Sequence, residues 1–308
     1  MPFAVSTNYR LAYNKETVWG TPLTTGARFL RLVSANLKPD LGFTQSNEIN
    51  AVHRQTADTI NTMAKGGGSL EGEMSYNAYE DLLGSLVGAD WAGTTTRTLR
   101  IGTLLRSVTL QEQYGDLSNV FRVYSGAIVN SWSLNLQVGQ VVTTSFGFVS
   151  RKPVPAAATA IGTVANANTN PVFNPLADVR VLQEGATPTT ITGVQSISLN
   201  VQNDITEIMA LGSADAAALI PARIKITGTI ALFKQDDALI TKYLNLTNSR
   251  LIMRLGGATN AHYEFTLPNI RYTSYDGGAS QSNAITERFG FEGLYDVTDS
   301  ALRIVATD

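Results

Sequence analysis

Two stretches far apart in the chain read alike, and that likeness constrains the fold more than any other feature. Gly72-Glu73-Met74-Ser75-Tyr76 places apolar residues at alternate positions and runs into a segment with helical spacing. Gly228-Thr229-Ile230-Ala231-Leu232 does the same. Laid on one another without a gap, Gly72 meets Gly228, Met74 meets Ile230, Tyr76 meets Leu232 and Leu83 meets Leu239. Each half also closes on one tripeptide, Phe146-Gly147-Phe148 and Phe289-Gly290-Phe291. This pattern predicts a duplicated unit of about 130 residues, a β-sandwich or barrel capped by one helix.

Strand signals dominate elsewhere too. Phe29 to Val33 is a short apolar run, and Trp132 to Val138 alternates apolar with polar throughout. The same alternation holds in Ile197 to Val201, Ile224 to Thr227 and Tyr263 to Leu267. Period two buries one face and wets the other, as in an antiparallel sheet. Two short helices are expected. Asn77 to Val87, with Asn77 as N-cap candidate, carries Tyr79, Leu82, Leu83 and Leu86 at helical spacing. Gln235 to Leu246 carries Leu239, Ile240, Tyr243 and Leu244. Glu80-Asp81 and Asp236-Asp237 fall at the helix starts, where the helix dipole favours them.

The stretch from Pro153 to Pro175 is rich in Ala, Pro, Thr and Asn and divides the chain almost in half. The expected fold is therefore mainly β. Residues 1–152 form a first β unit with a long arm at about 37–66, residues 153–175 a linker or surface loop, and residues 176–308 a second β unit. The arm, from Leu37 to Lys65, holds neither period. A segment this long without a core of its own is an arm that docks on a neighbouring subunit or a floppy loop. The candidate contact residues are Gln45, Glu48, Ile49, His53, Arg54 and Asp58, and Gly66, Gly67 and Gly68 form a candidate hinge at the base. Asn203 to Pro221 is a shorter counterpart in the second half.

Charge and chemistry exclude much. The 308 residues are 44% apolar and only 16% charged, with a net charge of −2, so the chain can bury a sizeable core and is not built to grip nucleic acid. It has no cysteine, which excludes disulfides and thiolate chemistry. His53 and His262 lie in different halves without a metal-binding or catalytic motif around them. His262, just before a strand, is expected at a strand edge. The run Lys65-Gly66-Gly67-Gly68-Ser69 lacks the order of a phosphate loop and precedes a strand. No catalytic, metal or cofactor site is expected. No secretory signal and no membrane-spanning run is visible, so a cytoplasmic origin is expected.

Lys15-Glu16-Thr17-Val18-Trp19-Gly20-Thr21-Pro22 resembles the opening of a family of phage tail tube proteins. The features that follow also resemble it: Ser46-Asn47-Glu48-Ile49 and Arg54-Gln55-Thr56-Ala57-Asp58 on a polar arm, Gly72-Glu73-Met74, Tyr79-Glu80-Asp81-Leu82-Leu83 on a short helix, and Phe289 to Tyr295 near the end. The resemblance implies a structural part of a long-tailed phage virion, not an enzyme. It implies rings whose sheets join into a barrel around a channel for DNA, stacked through arms and assembled in the host cytoplasm. Such rings are six-fold, so three copies of a duplicated chain make a pseudo-hexamer, and six copies are the alternative. The implied partners are further copies, the tape measure protein, the tail terminator and the distal tail protein. DNA passes without specific binding, and no membrane is involved. A phage decoration or receptor-binding β-sandwich is the competing reading. A hydrolase would need an acid/base pair that the motifs lack.

Overall fold

In a computed structural model, the structure describes residues 3–47, 55–56, 58–176, 178–185, 187–213, 215–257, 261–278 and 284–308. These residues form a mainly β fold with two short helices. The first half contains β1 (Tyr9–Lys15), β2 (Arg28–Phe29), β3 (Ser34–Gln45), β4 (Thr59–Glu73), α1 (Glu80–Val87) and β5 (Thr96–Arg100). It continues through β6 (Val108–Tyr114), β7 (Phe121–Gln137), β8 (Thr143–Arg151) and β9 (Val154–Ala156). The second half contains β10 (Val179–Glu184), β11 (Thr189–Thr190), β12 (Val194–Ile208), β13 (Ala218–Phe233) and α2 (Ala238–Leu244). It ends with β14 (Ser249–Gly256), β15 (His262–Gly278), β16 (Thr286–Gly293) and β17 (Arg303–Thr307).

One pairing order occurs twice, antiparallel throughout. In the first half β1 pairs β6, then β7, β8, β4 and β3 follow in turn. In the second half β10 pairs β14, then β15, β16, β13 and β12 follow. Even the irregularities recur. A bulge after Val129 sets Ser131 opposite Gly147, and a bulge after Tyr272 sets Ser274 opposite Gly290. A Cβ on Gly147 would sit 2.3 Å from the Ser131 hydroxyl, and one on Gly290 would sit 2.3 Å from that of Ser274.

The register of the likeness differs from the gapless one. Gly68 faces Phe148 as Gly228 faces Phe291, so the strand counterpart of Gly228 is Gly68 and not Gly72. The first half has extra chain between strand and helix, which a gapless alignment hides. Phe29 to Val33 is likewise not one strand. Pairing ends at Phe29 and resumes at Ser34.

Both helices are shorter than their periodicity suggests. Asn77 does not cap α1. It takes a left-handed turn at φ 58°, and Tyr79 stands at the N-cap without a side-chain bond to the helix, its hydroxyl donating instead to the Arg31 carbonyl. The α1 carboxylate Glu80 instead binds Arg97 and the Tyr263 hydroxyl. The 153–175 stretch is held more tightly than its composition suggests: Ile161 and Phe173 are buried, and Phe173 donates its backbone N–H to Met74.

The two halves share one core. Trp132 stacks on Phe265 at 5.8 Å and Tyr76 lies 5.0 Å from Tyr263. β17 runs back to pair with β5, from Arg303↔Arg100 to Thr307↔Thr96. Asp308 receives hydrogen bonds from Tyr76 and Arg97. The Tyr76 bond, followed by Arg97, holds its carboxyl below the usual range. A second join matters more for function. β12 pairs along β7, from Ser196↔Gln137 to Gln202↔Ser131. One sheet therefore runs β3-β4-β8-β7-β12-β13-β16-β15 across both halves.

Candidate assembly surfaces

Two ribbons leave this sheet. β4 pairs with both β3 and β8 as far as Lys65, which faces Arg151. From Ala64 to Thr59 it pairs with β3 alone, so a two-stranded ribbon projects and reaches Gln45↔Thr59. The expected structureless arm is thus a β-hairpin through most of its length. Beyond Met63 no core lies against either face, so the side chains from Thr59 to Thr62 were never sorted by period two. Leu41, Phe43 and Ile60 stand exposed along it. Gln45 ends β3, and the Asp58 carbonyl accepts a bond from the Ser46 N–H. Glu48, Ile49, His53 and Arg54 lie outside the described residues.

Gly66, Gly67 and Gly68 lie inside β4 rather than ahead of a strand, on the rungs where the ribbon leaves the body. Gly68 adopts φ +141°, and a Cβ there would sit 1.9 Å from the Asn36 carbonyl oxygen. Only glycine fits that approach.

The second ribbon is built likewise. β12 pairs β7 up to Gln202, and β13 pairs β16 from Ile226 onward. The outer parts, Asn203↔Ile224 to Ile208↔Ala218, pair only with each other. The two ribbon bases are tied together. Lys65 contacts Glu207 at 3.2 Å, and Ile128, Ala216 and Leu219 form a small buried cluster against Trp19, Val149 and Ile205. The ribbon pairing itself could not be read from the polar sequence, although the chain length between flanking strands pointed to it.

The sheet has one buried face and one polar face. Leu134, Phe146, Leu199 and Ile226 point to the core. Between them Ser133, Asn135, Ser145, Ser198, Asn200, Thr227 and Thr229 point the other way, half-buried or exposed. The Ser198 and Thr229 hydroxyls bond across strands at 2.8 Å. Hydroxyl and amide groups dominate the middle of this face, with Glu71, Lys225, Arg288 and Glu292 set among them.

The sheet also has two open ends. β3 pairs with β4 only, and its other edge is free among the described residues. Beyond Ile270, β15 pairs with β16 only. An apolar groove of about 770 Å³ lies beside the β3 edge, lined by Val5, Tyr9, Phe29, Leu32, Val33 and Tyr114. Unpaired strand edges invite another chain.

A family model described as phage tail tube protein matches residues 7–293, nearly the whole chain. The chain belongs to the phage tail tube protein family. No curated protein gives a significant match. The tail tube protein is a structural part of the phage tail and not an enzyme. His262 fits that role. It is the first residue of β15, buried, with Arg254 Nη2 2.7 Å from its Nε2. Burial, then the Arg254 charge, lowers its pKa. Among the described residues no cluster of His, Asp and Glu could hold a metal ion.

Proposed function

We propose that copies of this tail tube protein close into rings, that rings stack through the two ribbons, and that phage DNA is ejected through the channel they enclose. The observation that carries the reading is the eight-stranded sheet with one open edge at β3 and another at β15. The two edges differ, so a head-to-tail contact repeats from copy to copy, and rotation closes it into a ring. A closed barrel leaves no edge free.

The twice-used strand order supports a tandem duplication, with 1–152 and 176–308 as units. Three copies then supply six units and a pseudo-hexameric ring. The polar face of the sheet suits the channel wall. Ser, Thr and Asn dominate it, and Glu71 and Glu292 stand on the same face as Lys225 and Arg288, so no array of positive charge holds phosphates and DNA slides without binding. The arm segment from Gln45 to Asp58 contacts the next ring, with Gly66–Gly68 at the point where the ribbon leaves the body. The tape measure protein occupies the channel during assembly, and the tail terminator and distal tail protein meet the two tube ends.

Negative-stain electron microscopy of the purified protein tests this. Hollow tubes or stacked rings are expected. A chain that stays monomeric under every assembly-promoting condition would refute the role.

A further inference from the structure

We propose that successive copies in the ring join by antiparallel pairing of Ser274–Gly278 of one copy with Asn36–Asp40 of the next, in a register that sets Asp276 opposite Lys38. The inference rests on the ring-forming role and adds the joint itself.

The template for the joint lies inside the chain, where β12 docks on β7. On one side of that template, Ser131 to Asn135 pair with Gly147 to Thr143, and Ser274 to Gly278 pair with Gly290 to Thr286 through the same bulge. Ser274–Gly278 thus stand in the second half where Ser131–Asn135 stand in the first. On the other side, Leu37 faces Gly68 as Leu199 faces Gly228. A Cβ on Gly68 would strike the Asn36 oxygen, and one on Gly228 would lie 2.4 Å from the Ser198 oxygen. Asn36–Asp40 therefore stand where Ser198–Gln202 stand. Inside the chain, Asn200 faces Ser133 and Ser198 faces Asn135. Carried to the open ends, these rungs become Lys38 facing Asp276 and Asn36 facing Gly278.

Three features of the open ends fit this joint. Lys38 and Asp276 are exposed, opposite in charge, and without an ion-pair partner among the described residues. Both alternate with core-facing neighbours, Leu37 and Tyr275, so they share the polar face once paired. The β15 end is also bare. Trp132 and Leu134, in the part of β7 that β12 pairs, are buried, whereas their counterparts Tyr275 and Gly277 are half-buried and exposed. Helix α1 is almost wholly buried, and α2 at the uncovered end buries only Leu239.

The chain has no cysteine, so an introduced pair reports cleanly. Opposed residues on antiparallel strands have Cα atoms about 4.5–5.5 Å apart, within disulfide reach. The full chain carrying Lys38→Cys and Asp276→Cys is assembled, oxidised and run on a non-reducing denaturing gel. Most of the monomer is expected to pass into cross-linked species that end at one closed size. The shifted pair Asp40→Cys with Asp276→Cys is expected to link at least about fivefold less, because it lies two residues out of register. A charge exchange gives a second test if the cysteine pair blocks assembly. Lys38→Glu alone should raise the concentration needed for assembly by roughly fivefold, and Lys38→Glu with Asp276→Lys should restore it. Normal tubes that link equally well through the shifted pair would overturn the register and leave the ring-forming role standing. So would a double charge variant no better than the single one. If the unaltered chain forms no ring or tube, the role itself falls.

Discussion

Gly68 and His262 show how much single residues carry in this protein. A side chain at Gly68 would meet the Asn36 carbonyl and would have to hold φ at +141°. Gly68→Ala is therefore expected to cost about 3 kcal/mol or more in stability, read by urea unfolding. Gly139 also has a positive φ but open space around it, and Gly139→Ala should cost about 1 kcal/mol. His262 makes stability depend on pH. Its folded pKa is lowered by burial and then by Arg254, so the unfolded chain takes up a proton that the folded chain resists. The contribution is complete above the ordinary histidine value of about 6.5 and is lost as pH falls through it. His262→Gln should flatten the fall in stability between about pH 7 and pH 5. An unchanged slope would assign that fall to other groups. Neither residue's role was visible in the sequence. The glycine run was plain, but which glycine lacks room depends on the strand lying across it. His262 was legible only as a strand-edge residue.

Among the elements, alternation was legible wherever a strand has one face on the core. Trp132 to Gln137, Ile197 to Val201 and Tyr263 to Leu267 lie in β7, β12 and β15, and Val138 falls in the turn just past β7, exposed. The outer ribbons were not legible, because the first has water on both faces from Thr59 to Thr62 and the second is covered only near Asn203, Ile205 and Leu219, so neither has reason to alternate throughout. Their stability comes from pairing and from what they dock on. Deleting Gln45–Asp58 should therefore leave the unfolding transition within about 1 kcal/mol of the parent while lowering tube yield in sedimentation. Tubes formed as before would remove the arm from ring stacking. Junction residues should behave in the opposite way. Trp132 is buried between Phe146 and Phe265, so Trp132→Ala should cost about 3–5 kcal/mol by urea unfolding.

Across the whole molecule, the two Phe-Gly-Phe closures and the two helices pointed to the likeness seen in the strand order that occurs twice. Its strand register was not legible, since Gly72 looks like Gly228 in sequence while Gly68 occupies its place against Phe148. A gapless alignment cannot see the longer link to α1. The family match, the twice-used strand order and the two unlike open edges together support one account. On the proposed account each copy is a third of a ring, and the contact between copies repeats the contact between halves. The mass of the smallest stable ring, taken by native mass spectrometry or by mass per ring in electron micrographs, tests that account most directly. Three chains per ring are predicted, and six chains per ring would contradict it.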